Sequence, residues 1–158
     1  MIRSLLIGMV GGMRALTPLA AVTLAARNNA LPRNNGALAV LGHPWVSNSI
    51  MALAAGELLG DKLPSSPDRI IAPGIAARVL TGALAGAALA PREQRNTGAL
   101  LGAVGAVASA YISFNVRIRA MERYGQVPTG IAEDVLMLGA TQWILNDASP
   151  TGQITHRV

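Results

Sequence analysis

Thr97-Gly98-Ala99-Leu100-Leu101-Gly102-Ala103-Val104-Gly105-Ala106-Val107-Ala108-Ser109-Ala110-Tyr111-Ile112-Ser113-Phe114-Asn115-Val116 runs for 20 residues without a charged side chain. About 20 residues of helix cross a hydrocarbon core of about 30 Å, so this stretch has the length and polarity of a membrane span. Small residues recur along it four apart, at Gly98/Gly102 and Ser109/Ser113. Such spacing lets two helix backbones approach closely, which is how helices associate in lipid.

On either side lie four more apolar segments, over about 4–26, 45–60, 70–90 and 129–145. Polar stretches rich in Asn, Pro and Arg separate them, such as Pro32 to Gly36, Asp61 to Arg69 and Pro91 to Asn96. Arg117 to Pro128 is expected as a helical extension that leaves the membrane before turning. Charged residues are 13% of the chain, against about 25% in a soluble domain. One Phe, two Trp and two Tyr are too few for a soluble core of this size, which draws much of its buried area from aromatics. The expectation is a single all-α domain over residues 1–158, a polytopic transmembrane bundle of about five helices. An Ala-rich soluble bundle is the alternative. Arg14 would interrupt the apolar region of a signal peptide, so the first segment is expected as an uncleaved span.

A net charge of +5 does not point to nucleic acid, because the basic residues sit between apolar runs and carry no interleaved aromatics. Loop arginines of a membrane protein orient helices and meet anionic head groups. With five spans the two sides would carry six and five basic residues, so charge fixes no orientation. The chain has no cysteine, hence no disulfide and no thiol chemistry.

Against this background the charges inside the apolar segments stand out. Arg14 lies midway along the first segment and Arg78 midway along the third. An ionisable group at bilayer depth costs about 2.5–3.5 kcal/mol on insertion scales and normally faces the bundle interior with a partner. Glu57 and Asp61, four apart, share one face of the second segment, and Glu133 and Asp134 begin the fifth. The simplest pairing is Arg14 with Glu57/Asp61 and Arg78 with Glu133/Asp134; the crossed pairing is equally allowed. With Lys62 included, three bases face four acids, which could leave one carboxylate as a protonation or cation site. Pro18 removes a backbone donor and frees a carbonyl near Arg14, and broken helices of this kind line transporter sites. A plain kink is the blander outcome.

Arg14-Ala15-Leu16-Thr17 and Arg78-Val79-Leu80-Thr81 repeat at an offset of 64 residues. Each is followed by an Asn-and-Gly-Ala-Leu stretch and then by a carboxylate pair. That suggests an internal two-fold repeat, although Ala/Leu/Gly-rich sequence also matches itself by chance. Gly8/Gly12, Gly56/Gly60, Gly82/Gly86 and Gly98/Gly102 are further small-residue pairs for helix packing, within the chain or between copies.

Enzyme signatures are missing: His43 and His156 lie outside the spans, with no metal-ligand spacing, phosphate loop or nucleophile elbow. No catalytic residue, cofactor or metal is expected.

Gly12-Met13-Arg14-Ala15 with Pro18, Glu57-x-x-x-Asp61-Lys62-Leu63-Pro64, Arg78 with Gly82-Ala83, and Glu133-Asp134 together resemble the bacterial membrane proteins grouped as domain of unknown function family 4126. The likeness spans roughly residues 5 to 145. It implies a multi-pass fold in the cell membrane, the inner membrane of a bacterium, and brings no activity. The function expected from the residues is a small transporter or channel-like protein. Its polar path for an ion or small charged solute would use Arg14, Glu57, Asp61, Lys62, Arg78, Glu133 and Asp134. A structural or accessory membrane subunit, whose charges only fix packing, is the alternative. The expected partners are the lipid bilayer and a second copy, in a homodimer.

Overall fold

The computed structural model of the chain describes residues 1–60 and 72–148, and these are all-helical. In chain order the helices are α1 (Ile2–Met13), α2 (Leu16–Arg27), α3 (Pro44–Gly60), α4 (Ala72–Leu89), α5 (Arg95–Tyr124) and α6 (Gln126–Ala148). Short 3-10 turns at Ala39–Gly42 and Arg92–Gln94 lead into α3 and α5. No strand occurs among the described residues. A single antiparallel bridge between Asn35 and Pro91 ties the α2–α3 loop to the α4–α5 corner. Asn34 reinforces that tie by donating from Nδ2 to Glu93 Oε2 at 3.0 Å.

Six helices replace the five expected, because the first apolar segment is broken. Pro18 has no N–H, and its ring would strike the carbonyl of the residue four before it, which is Arg14. The backbone of Arg14 accordingly leaves the helix, at φ −142° and ψ 123°, and a new helix begins at Leu16. Each half is 12 residues long, about 18 Å, and so falls short of a hydrocarbon core of about 30 Å.

α3, α5 and α6 begin or end beyond the expected spans, whereas α4 stops at Leu89, inside the expected 70–90. α5 runs 30 residues to Tyr124, where Gly125 takes the left-handed φ of 86° that ends it. α6 starts three residues before the expected Thr129, with Pro128 in its first turn, where a missing N–H costs nothing. Two helices, α4 and α5, are long and apolar enough to cross a membrane.

α5 is the central strut, with its most extensive contacts to α1 on one side and α4 on the other. Those contacts run through glycine. A Cβ on Gly8 or Gly12 of α1 would collide with the α5 backbone at Gly102 and Ala106. One on Gly82 of α4 would lie 2.7 Å from the Gly102 carbonyl, and one on Gly105 would lie 2.7 Å from the Leu5 carbonyl of α1. α2 packs on α3, and α6 packs on α1 and α2. Ile7, Val10, Leu19, Val22, Met137 and Ile144 form the apolar core between these layers. Outside it the helices remain apolar: Leu80, Leu100, Val104, Ile112, Val116, Val135 and Leu136 are all more than half exposed.

Gly56 of the expected second pair faces outward, with nothing near a Cβ placed there. The surroundings of Gly60 lie outside the described residues, as do Asp61 and Lys62. The internal repeat expected between Arg14 and Arg78 is not matched in local structure: Arg14 sits at a helix break, whereas Arg78 lies inside continuous α4.

Gly102→Ala is expected to cost about 1–3 kcal/mol by overpacking, since its Cβ would meet backbone atoms of Gly82 and Gly86 that cannot turn aside. Gly139→Ala, with open space around it, should cost nothing. Unfolding of detergent-solubilised protein in sodium dodecyl sulfate, followed by circular dichroism, compares the two; equal stabilities would contradict the glycine contacts.

Candidate functional site

A broken helix leaves backbone groups without partners, carbonyls at the end of α1 and amides at the start of α2. In an apolar interior each of these costs several kcal/mol unless a polar partner is brought to it. Two charged residues of the apolar segments, Glu57 and Arg78, are such partners. Glu57, on the last turn of α3, accepts the Ala15 N–H on Oε1 at 3.0 Å and the Leu16 N–H on Oε2 at 2.9 Å. Its carboxylate thereby caps α2, with its charge at the positive end of that helix. Arg78 of α4 does the converse for α1, donating from Nε to the Gly12 carbonyl at 3.0 Å. Its Nη1 donates to the Gly74 carbonyl in its own helix at 2.9 Å. From α5, Ser109 Oγ donates to the Met9 carbonyl through a short bond.

Arg14 stands in the break itself, 1% exposed. Its Nε donates to Asp134 Oδ1 on α6 at 2.9 Å, and Nη2 lies 2.6 Å from the same oxygen. Nη1 reaches across to the Glu57 backbone carbonyl at 3.1 Å. The neighbouring acid on α6, Glu133, is held by Arg117 of α5, with Nη1 2.7 Å from Oε2 and both side chains about nine-tenths buried. The two consecutive carboxylates of α6 thus take guanidinium groups from two different helices.

The structure therefore crosses the simplest expected pairing. Arg14 pairs with Asp134 rather than with the carboxylate of Glu57, which is committed to the α2 amides. The described bonds of Arg78 run to backbone carbonyls. Asp61 and Lys62 of the expected set lie outside the described residues. Arg117 was missed, because it follows the uncharged run and reads as a loop residue. The available signal was its spacing: Ser109, Ser113 and Arg117 fall four apart on one helical face. With Arg117 the described belt holds Arg14, Arg78 and Arg117 against Glu57, Glu133 and Asp134, three charges of each sign.

Beside the Arg117–Glu133 pair opens a groove of about 830 Å³ between α1, α5 and α6. Its walls are almost wholly apolar, including Leu6, Met9, Ile112, Val116, Leu136 and Trp143. Among the described residues no three His, Asp or Glu side chains cluster as metal ligands. A further ion pair, Arg3 with Asp147 at 2.7 Å, is one-third exposed and clips α1 to the far end of α6. Such a pair contributes at most about 1 kcal/mol.

A family model described as "Domain of unknown function (DUF4126)" matches residues 2–144. No curated protein and no solved structure matches the chain.

Arg14→Met alone strands the Asp134 carboxylate in the core and is expected to destabilise by about 3–5 kcal/mol. Adding Asp134→Leu should restore part of the loss, with a coupling of about 0.5–3 kcal/mol in a double-mutant cycle of unfolding free energies. Strictly additive losses would show that the two residues are not energetically paired.

Proposed function

The chain belongs to the DUF4126 family, whose function is unknown, and for it we propose a multi-pass protein of the cell membrane that passes an ion or small charged solute along the Arg/carboxylate belt. Membrane residence is supported by α4 and α5, whose apolar windows are only 33% and 28% buried. The core helix of a soluble protein would be mostly covered. The single observation that carries the transport reading is the break at Arg14. Two half-length helices meet there with their opposed ends amid paired guanidinium and carboxylate groups. Discontinuous helices of this type build binding sites at mid-membrane, where the helix ends and the freed backbone meet the solute. Ionisable groups at such depth mark ion and proton pathways. The protein has no enzymatic role in this reading and needs no cofactor or metal.

One observation favours a second reading, an accessory membrane subunit stabilised by its charges: both oxygens of Glu57 are already committed to helix capping. In either reading the chain forms a homodimer. Three of the four glycine pairs are occupied within the chain, and the exposed Ala52 and Gly56 of α3 offer one small-residue surface for a second copy.

Proteoliposomes holding the full chain, with a dye selective for H⁺, Na⁺, K⁺ or Cl⁻ inside and a gradient of that ion imposed, separate the two. Transport predicts flux with one of these ions, lost in Glu133→Gln while size exclusion and protease resistance stay native. Absence of flux in the wild type for every ion would favour the accessory subunit.

A further inference from the structure

The groove between α1, α5 and α6 is flanked at one end by charges that the belt does not use. Its α5 wall is the stripe Ser109, Ile112, Ser113, Val116, Ala120 and Tyr124, which spans about 22 Å at 1.5 Å per residue. That exceeds the half-thickness, about 15 Å, of a hydrocarbon core of about 30 Å, so the stripe is long enough for one acyl chain of a leaflet. The volume of about 830 Å³ lies within the range of sites that take apolar ligands, about 300–1,000 Å³.

Past Val116 the helix turns basic on the edge of the same stripe. Arg119 stands seven residues beyond Ile112, and Arg123 seven beyond Val116, so helical periodicity places both beside the groove's lining positions. Both are exposed, and among the described residues neither joins an ion pair. Arg117, by contrast, is neutralised by Glu133 inside the groove wall. The Arg123 guanidinium lies 5.7 Å from the centroid of the Tyr124 ring, an arrangement that holds a cation above an aromatic face while leaving N–H donors to point outward. Tyr124 itself lines the groove mouth and is exposed. An apolar trough lined at one end by Tyr124, with two exposed guanidinium groups on the neighbouring face of the same helix, has the chemistry of a lipid: chain in the trough, anion beside its mouth.

We propose that this groove binds an anionic phospholipid, with one acyl chain along the α5 stripe and the headgroup phosphate on Arg119 and Arg123. A guanidinium pairs with phosphate through two parallel N–H bonds, and each basic residue near a membrane surface favours anionic lipid by about a factor of five. A second copy of the chain would fit the apolar walls, but at a net charge of +5 it matches two guanidinium groups less well than an anionic lipid does. The proposal rests on the membrane reading above.

Native mass spectrometry of the full chain in detergent, with phosphatidylglycerol and phosphatidylcholine of matched acyl chains, tests it. Phosphatidylglycerol should be retained about tenfold more than phosphatidylcholine. Arg119→Gln with Arg123→Gln should bring the two lipids level, and Ala132→Leu, which narrows the groove, should lower both while circular dichroism stays unchanged. Equal retention by the wild type, or preference that survives the arginine substitutions, would overturn the proposal. So would a dimer that dissociates on Ala132→Leu with lipid retention unaltered, since a second copy would then fill the groove. Resistance of the membrane-bound chain to alkaline carbonate extraction is measured alongside. Extraction would refute membrane residence itself, whereas a resistant chain with no lipid preference would refute only the lipid site.

Discussion

A helix interrupted inside an apolar bundle exposes amides and carbonyls that water cannot reach, and two of the charged residues in the core, Glu57 and Arg78, answer that demand directly. The break is forced locally, by Pro18 acting on Arg14, but its consequences are global. Satisfying it draws Glu57 from α3 and Arg78 from α4 to the break, while the Arg14 side chain in the break draws in Asp134 from α6, and Ser109 of α5 bonds the last turns of α1. All the helices meet at this level, so the orientation of each is tied to the same set of bonds. Polar groups bound at one depth also explain how two half-length helices can replace one continuous span without leaving orphaned backbone.

Buried ion pairs are weak evidence for stability, because desolvating two charges roughly cancels their attraction, and well-packed apolar side chains often do better. The pairs here are therefore poorly explained as a source of net stabilisation. What they supply is selectivity among arrangements: a guanidinium with no carboxylate beside it would be expensive, so alternative helix registers are suppressed. The transport proposed above would draw on the same groups. Specificity of packing and a route for charge are thus compatible uses of one belt.

Glycine imposes the second constraint. Around α5 the contacts with α1 and α4 are backbone to backbone, at positions where a methyl group would collide with a carbonyl. This geometry needs no bulky core, which accounts for the scarcity of aromatics and for the large apolar side chains turned outward. It also occupies three of the four glycine pairs within the chain, at Gly8/Gly12, Gly82/Gly86 and Gly98/Gly102.

Hydropathy and small-residue spacing were enough to establish the helical class, the membrane-capable α5, the approximate extent of α3, α4 and α6, and the identity of most charged residues in the belt. These follow from local composition, because length and polarity decide whether a segment can be a helix in lipid. Even the break was foreshadowed by Pro18, which acts within one turn of its own chain. Partner choice was not legible. Arg14 could reach acids on α3 or α6 with equal justification from spacing, and only the relative placement of those helices selected Asp134. Arg117 was hidden for the same reason: its burial depends on α6 folding back against α5, a contact between residues 16 positions apart that no periodicity encodes. The sequence by itself determined which elements form and which charges lie among them. Tertiary structure alone decided which charges meet, because pairing depends on distances across the bundle.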